Sequence, residues 1–155
     1  MNGPIVTIVV TQRERFSYTA TSLESIYKNT ALPFKLIYLD GASPPHIKHY
    51  LATQAVEKGF TLIRAEHFIP SSKARNLGQA QVKTKYAVFI DNDVSVTPGW
   101  LEALVKCAEE TEAWVVGPLC IEGKAEDQII HTVGEEAHFK INNGQRTFHG
   151  PQRFT

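Results

Sequence analysis

The hydrophobic residues of this chain fall into alternating strand-like and helix-like segments. Residues 5–10 (IVTIVV) and 34–39 (FKLIYL) are runs rich in β-branched and aromatic residues, which is typical of buried strands. Between the two runs, apolar residues recur at helical spacing, as at Leu23 and Ile26. This first strand, helix and second strand predict the start of a parallel sheet with helices on its faces.

The same alternation continues through three more predicted strands. Residues 60–64 and 113–116 are short apolar runs. Residues 86–90 (YAVFI) carry consecutive rather than alternating apolar residues, which predicts a strand buried on both faces of the sheet. Gly59 is placed to end the helix before the third strand. We therefore expect the α/β class, as a three-layer sandwich around a mainly parallel sheet.

A further helix is predicted after the fourth strand. Thr97 and Pro98 are placed at its start, because proline suits the first position of a helix. The apolar residues that follow at helical spacing predict its buried face. They are Leu101, Leu104, Val105 and Ala108.

Beyond residue 122 the pattern changes to short strands. Residues 129–134 and 137–141 are strand-like, and Asn143-Gly144 is a strong signal for a two-residue hairpin turn. We expect residues 1–122 to form one α/β domain and residues 123–155 to form a β-hairpin tail of that domain. Small antiparallel units are marginal unless they pack on something, so the tail should have its main packing partner outside this chain.

The composition is that of an ordinary globular protein. The 155 residues are 43% hydrophobic and 21% charged, and 16 basic residues balance 16 acidic ones. This balance gives no general electrostatic basis for binding nucleic acid or an anionic membrane. No apolar run approaches a membrane span and the N-terminus lacks a signal-peptide pattern, so a cytoplasmic location is expected. Cys107 and Cys120 lack metal-ligand spacing and are predicted to be reduced core thiols.

Polar residues follow several of the predicted strands. Residues 11–15 follow the first strand, Asp40 the second, and Asp91 and Asp93 the fourth. Right-handed crossovers bring these positions to the carboxyl edge of a parallel sheet, where such sheets bind ligands. Alternate residues of an extended segment point the same way, so the two carboxylates can converge on a hard cation while Asn92 faces elsewhere. A solvated turn that caps the next helix is the alternative interpretation.

A second signal points to an anionic ligand. The segment after Pro70 begins a helix that a serine is predicted to cap, and its first turn carries Lys73 and Arg75. The start of a helix favours anions, so two cations there suggest a negative group bound nearby. The alternative is that both are ordinary solvated charges.

Together these motifs resemble glycosyltransferase family 2, which has the GT-A fold. The loop after strand one keeps Thr11 of the family's P-T-Y-N-R pattern but lacks its proline and tyrosine, while Asp40 matches the aspartate that bonds uracil. The family's A-R-N and D-x-D motifs are matched by residues 74–76 and 91–93. The nucleotide-binding residues that the resemblance implies are Thr11, Gln12, Arg13, Asp40, Lys73, Arg75, Asn76, Asp91 and Asn92, and the metal ligands are Asp91 and Asp93.

The resemblance implies a donor and a cofactor. The donor is a nucleotide-diphosphate sugar, with a UDP-sugar favoured, the cofactor is Mn²⁺ or Mg²⁺, and the reaction is inverting transfer to an unidentified glycan or other hydroxyl acceptor. Related enzymes continue with a G-G-F-D turn and a Glu-Asp pair that supplies the catalytic base, and neither is present here. Asp127, Glu135 and Glu136 lack the matching context, so no base is assigned. We expect a truncated chain that transfers no sugar alone.

Two other functions remain open at this stage. A non-catalytic nucleotide-binding module would use the same edge without the chemistry. A sugar-phosphate nucleotidyltransferase would need a glycine-rich phosphate loop after strand one, and residues 11–15 contain no glycine. The same absence argues against a dinucleotide-binding Rossmann domain.

Overall fold

Four parallel strands form the main sheet, in the order β3-β2-β1-β4. The computed structural model describes residues 3–12, 15–123, 129–132, 135–142 and 145–153, with side chains up to residue 131. The four strands are β1 (Val6–Thr11), β2 (Phe34–Gly41), β3 (Thr61–Ala65) and β4 (Tyr86–Asp91). The predicted parallel α/β fold is confirmed.

Helices connect these strands. A short 3-10 turn, Phe16–Tyr18, leads into the first helix, and Gly59 ends the second as predicted, with a φ of 71° and its N–H donating to the carbonyl of Ala55 at 3.0 Å. A left-handed conformation of this kind favours glycine. The helices are α1 (Thr19–Asn29), α2 (Pro45–Lys58), α3 (Ser71–Gln79) and α4 (Trp100–Thr111).

The core is centred on β1. All residues of this strand are buried, because it lies between β2 and β4 and has helices on its faces. The prediction that β4 is buried on both faces is wrong. β4 lies at the edge of the described sheet, and Phe89 is exposed there while Ile90 is buried.

The predicted helix starts also need correction. Pro70, and not a serine, occupies the position before α3, and no side chain caps that helix. The fourth helix begins at Trp100 rather than at Pro98, because the residues before it form a turn in which the Trp100 N–H lies 3.3 Å from the Thr97 carbonyl. On the predicted apolar face Leu101 is fully buried, whereas Leu104 is half-buried.

The chain divides into two compact units, Met1–Glu102 and Ala103–Thr155. In the second unit two antiparallel pairs form, which confirms the predicted hairpin; residues 143–144 and Asp127 lie outside the described part of the chain. The boundary expected at residue 122 stays a prediction. The paired strands are β5 (Cys120–Glu122) with β6 (Ile129–Thr132), and β7 (Glu135–Asn142) with β8 (Gln145–Arg153).

Two predictions for the second unit are wrong. Residues 113–116 form no strand, because they have no strand partner in the described part of the chain, and Trp114 is fully exposed. Both cysteines are free, but Cys107 is exposed on α4 and Cys120 is only partly buried, so neither is a core thiol.

In the part of the chain that the structure describes, no helix combines the length and apolar composition needed to cross a membrane.

Close packing of α3 on the sheet depends on Gly78. A Cβ at this position would collide with Val9 and come within 3.1 Å of Leu39, both buried in the sheet. We expect Gly78→Ala to lower the free energy of unfolding by about 1–3 kcal/mol through overpacking, although helix propensity alone favours alanine. Urea denaturation measures this change, with the exposed Gln79→Ala as the matched control. A Gly78→Ala protein of higher stability would show that α3 does not pack this closely.

Candidate functional site

The strand order reverses beside β1. From β1 the chain moves outward to β2 and β3, and then returns to the other side of β1 as β4. At this reversal Thr11 and Asp91 are register partners at the carboxyl ends of their strands. Open α/β sheets bind ligands at such a switch point. The candidate site therefore begins with these two residues.

Thr11 and Arg75 both contact the Asp91 carboxylate. The hydroxyl of Thr11 donates to Asp91 Oδ1 at 2.9 Å, and Arg75 Nη2 on α3 lies 3.3 Å from the same oxygen. Thr11 is fully buried, whereas the Asp91 side chain remains 20% exposed. The buried Thr11 thus fixes the Asp91 carboxylate, which still reaches the surface.

Asp93 and Asn92 lie in different surroundings. The Asp93 side chain is 21% exposed, and its Oδ2 lies 3.8 Å from Nε of Arg15. Asn92 is fully buried and donates to the Arg15 carbonyl at 3.3 Å and to the Thr19 hydroxyl at 3.2 Å. Its side chain anchors the turn from inside, while both flanking carboxylates reach the surface.

Polar residues of α1 hold the loop that follows Asp93. The Ser22 hydroxyl donates to the Val94 carbonyl at 2.7 Å, and the Asn29 amide donates to the Val96 carbonyl at 2.7 Å. Ser25 accepts from the Val96 N–H at 3.1 Å. This support was not predicted, although the spacing of three and four residues along α1 places the three side chains on one helical face.

Asp40 lies at the end of β2 and is enclosed. It is 0% exposed; Oδ1 accepts from the Ser43 N–H at 3.0 Å, and Oδ2 accepts from the Ser43 hydroxyl at 3.0 Å and from the guanidinium of Arg64. Arg64 is the register partner of Asp40 on β3. Arg64 was not predicted as a site residue, because its signal in the sequence is only a lone cation in the short, mainly apolar strand β3.

The turn after Asp40 is strained. Ala42 has a φ of 63°, in the left-handed region that L-residues other than glycine rarely adopt. Its N–H donates to the carbonyl of Ala65 at 3.1 Å, which ties the ends of β2 and β3 together. Backbone strain of this kind is often found at ligand sites.

Gln12 follows β1 and bridges to β2. Its Oε1 accepts from the Gly41 N–H at 3.1 Å, and the residue is 6% exposed. Its Nε2 is buried and has no hydrogen-bond partner among the described residues. Of the other expected ligands, Lys73 and Asn76 are exposed on α3, and Arg13 lies outside the described residues.

Asp91 and Asp93 carry oxygen ligands of the kind that divalent cations prefer, but they lie in a turn, with the Val94 N–H 3.2 Å from the Asp91 carbonyl, and not in the extended segment that was predicted. Mg²⁺ and Mn²⁺ prefer oxygen ligands, and Mg²⁺ commonly takes one or two carboxylates together with substrate phosphates and water. In the described ranges no group of three or more His, Cys, Asp or Glu side chains could hold a metal by itself. A cation at Asp91 and Asp93 would therefore need further ligands, from a bound molecule or from water, beyond the side chains of the described ranges.

Two solved structures of nucleotide-bound proteins share this fold. The S. aureus TarS fragment 1–349 in complex with UDP-GlcNAc is 18% identical, with a TM-score of 0.59, and the match covers 69% of this chain and 32% of that one. The mannosyltransferase PcManGT from Pyrobaculum calidifontis in complex with GDP-Man and Mn²⁺ is 19% identical, with a TM-score of 0.64, over 82% of this chain and 38% of that one. These matches confirm the GT-A-like α/β fold.

Sequence comparison identifies the family. An uncharacterized glycosyltransferase of Rickettsia bellii (strain RML369-C) is 28% identical over 105 residues, which is 68% of this chain but 15% of that protein. The chain thus spans a small part of this relative. The family model for glycosyl transferase family 2 matches residues 7–152, almost the whole chain. The chain belongs to glycosyl transferase family 2.

Proposed function

We propose that this chain binds a nucleoside diphosphate sugar, a UDP-sugar in first place, at the carboxyl edge of its sheet. The observation that carries the proposal is the Asp91 carboxylate at the switch point, fixed by Thr11 at 2.9 Å and facing Arg75 of α3. In this proposal the whole protein transfers the sugar with inversion to a hydroxyl acceptor, by in-line attack on the anomeric carbon.

Each group of the donor has a place along this edge. The nucleobase lies over the ends of β1 and β2, near Gln12 and Asp40. The diphosphate lies beside Arg75, whose side chain is 45% exposed and whose contact with Asp91 is 3.3 Å long. Because that exposed ion pair is weak, the guanidinium can exchange its carboxylate partner for a phosphate.

Asp91 and Asp93 would hold the divalent cation, Mn²⁺ or Mg²⁺. When bound, this cation neutralises the charge that develops on the departing diphosphate. Thr11 keeps the Asp91 carboxylate oriented for this role, and α1 holds the loop after Asp93 through Ser22 and Asn29.

The solved relatives support the donor class. TarS is bound to UDP-GlcNAc or to UDP, and PcManGT to GDP-Man and Mn²⁺. UDP-GlcNAc and GDP-Man are both nucleoside diphosphate sugars, although their nucleobases and sugars differ. A UDP-sugar is put first because Asp40 stands where related enzymes have the aspartate that bonds uracil, although Asp40 itself has no exposed surface in this chain.

Titration calorimetry of the purified chain with UDP, with and without Mn²⁺, tests the proposal. We expect UDP to bind in the presence of Mn²⁺ and at least about tenfold more weakly without it, because the carboxylates and the phosphates then repel each other. Uridine, which lacks phosphates, is the ligand control and should bind weakly under both conditions. Equal UDP affinity with and without Mn²⁺ would contradict the metal role, and a lack of UDP binding under both conditions would contradict the function.

A further inference from the structure

The nucleobase end of the proposed site presents N–H donors of Gln12 and Arg64 rather than the Asp40 carboxylate, and the exposed carboxylate of Glu66 lies 3.5 Å from Arg64 Nε. Gln12, Asp40 and Arg64 lie at the same ends of the neighbouring strands β1, β2 and β3. Asp40 has no exposed surface, whereas the Arg64 side chain keeps 18% of its surface exposed. A ligand that approaches this end therefore meets the guanidinium before it meets the carboxylate.

Both oxygens of Asp40 are already engaged. Three donors reach them: the N–H and the hydroxyl of Ser43, and the guanidinium of Arg64. Arg64 is itself oriented by Ser43, since Nη1 lies 3.2 Å from its hydroxyl and Nη2 lies 3.4 Å from its carbonyl oxygen. An N–H group of a base could bond to Asp40 only after this network had opened.

Gln12 supplies the second donor. The Gly41 N–H fixes the orientation of the amide, because only Oε1 can accept from it, so Nε2 is the remaining group. This Nε2 is buried and has no hydrogen-bond partner among the described residues. Buried donors are nearly always paired, so an unpaired one at a ligand-binding edge suggests that a ligand acceptor completes it.

We propose that Gln12 Nε2 and the Arg64 guanidinium bind the nucleobase of the donor through its acceptor atoms. In this proposal Asp40 is a positioning residue that holds Arg64. This inference rests on the proposed function and specifies how that site recognises a pyrimidine. The carbonyl O2 is an acceptor in both uracil and cytosine, whereas N3 carries a hydrogen only in uracil. Recognition by donors therefore tolerates cytosine, and recognition of N3–H by a carboxylate excludes it.

Affinities of the unmodified chain for UDP and CDP, both measured with Mn²⁺, separate these two modes. We expect the two dissociation constants to agree within about tenfold, because both bases offer acceptors to the two donors. A site that bonds a substrate N–H rejects an analogue lacking it by far more, about 10⁴-fold or greater. A preference for UDP above about tenfold would overturn the inference, while leaving the proposed function intact.

A variant of Gln12 tests the donor directly. Gln12→Glu keeps an oxygen for the Gly41 N–H and removes the Nε2 donor, but it places a carboxylate at a position that is 6% exposed, so the Tm of the ligand-free protein should fall and is measured to confirm folding at the titration temperature. We expect both UDP and CDP to bind at least about tenfold more weakly, the effect of one lost hydrogen bond to a ligand. Unchanged affinity for both nucleotides would overturn the inference.

Lys48→Gln is the matched control for charge. It lowers the net charge by the same amount, on α2, and Lys48 lines a surface cavity together with Arg64. We expect less than about threefold weakening of either nucleotide, because exposed charges are screened. Equal losses in the two variants would assign the effect of Gln12→Glu to charge and overturn the inference. Failure of the unmodified chain to bind either nucleotide would instead refute the proposed function, and the inference with it.

Discussion

Replacing Asp93 by Asn is expected to weaken UDP binding in the presence of Mn²⁺ by at least about 100-fold, because the variant loses a charged oxygen ligand of the cation. The ligand-free protein should keep its Tm. In the structure the Asp93 carboxylate makes a 3.8 Å ion pair with Arg15, whose side chain is 74% exposed. Exposed pairs of this kind contribute only about 0–1 kcal/mol.

Thermal unfolding with and without UDP plus Mn²⁺ measures both effects, since a ligand that binds only the folded state raises Tm. Glu110→Gln is the matched control, because it removes a carboxylate from another exposed pair, with Lys106 at 3.7 Å on α4. The control should retain the full ligand-induced rise in Tm. If Asp93→Asn instead unfolds the ligand-free protein, the carboxylate serves to cap the turn and the metal role is wrong.

The second large effect concerns stability. We expect Arg64→Met to lower the free energy of unfolding by about 3–5 kcal/mol, because it leaves the fully buried Asp40 charge without its cation. Asp40→Asn should cost less, since Arg64 retains some exposure and can turn toward water. Urea denaturation at neutral pH measures the difference between the two variants.

Lys48→Gln serves as the control here too, because Lys48 is exposed on α2 near the same place. It should stay within about 0.5 kcal/mol of the unmodified protein, as is usual for surface substitutions. An Arg64→Met protein as stable as the unmodified one would mean that the Asp40–Arg64 pair does not form in solution. That result would also remove Arg64 from the proposed base contacts.

The sequence predicted the centre of the fold well. The runs that became β1 and β2 are buried on both faces, so their apolar residues are nearly continuous and their signal is strong. The run that became β4 has a similar composition, yet it lies at the edge of the described sheet. The composition of a strand does not show its position in the sheet. Residues 113–116 show in addition that an apolar run without a partner strand need not form a strand.

The sequence predicted those site residues that lie at the ends of strands. Thr11 and Asp91 are the last residues of their strands and Asp40 is the last but one of β2, and a parallel sheet brings such ends to one edge. Arg64 and the polar residues of α1 were missed because their roles depend on register and on contacts far apart in the sequence, such as the 72 residues that separate Ser22 from Val94.

Paramagnetic NMR of the ¹⁵N-labelled chain tests the central claim most directly, because it locates the cation residue by residue. With UDP present, Mn²⁺ added in place of Mg²⁺ should broaden the amide signals around Asp91 and Asp93 first. The signals of α2, such as those of His46 and His49, should broaden less at the same Mn²⁺ concentration. Broadening that centres on these histidines, or that is the same with and without UDP, would contradict a cation held jointly by the two carboxylates and a nucleoside diphosphate.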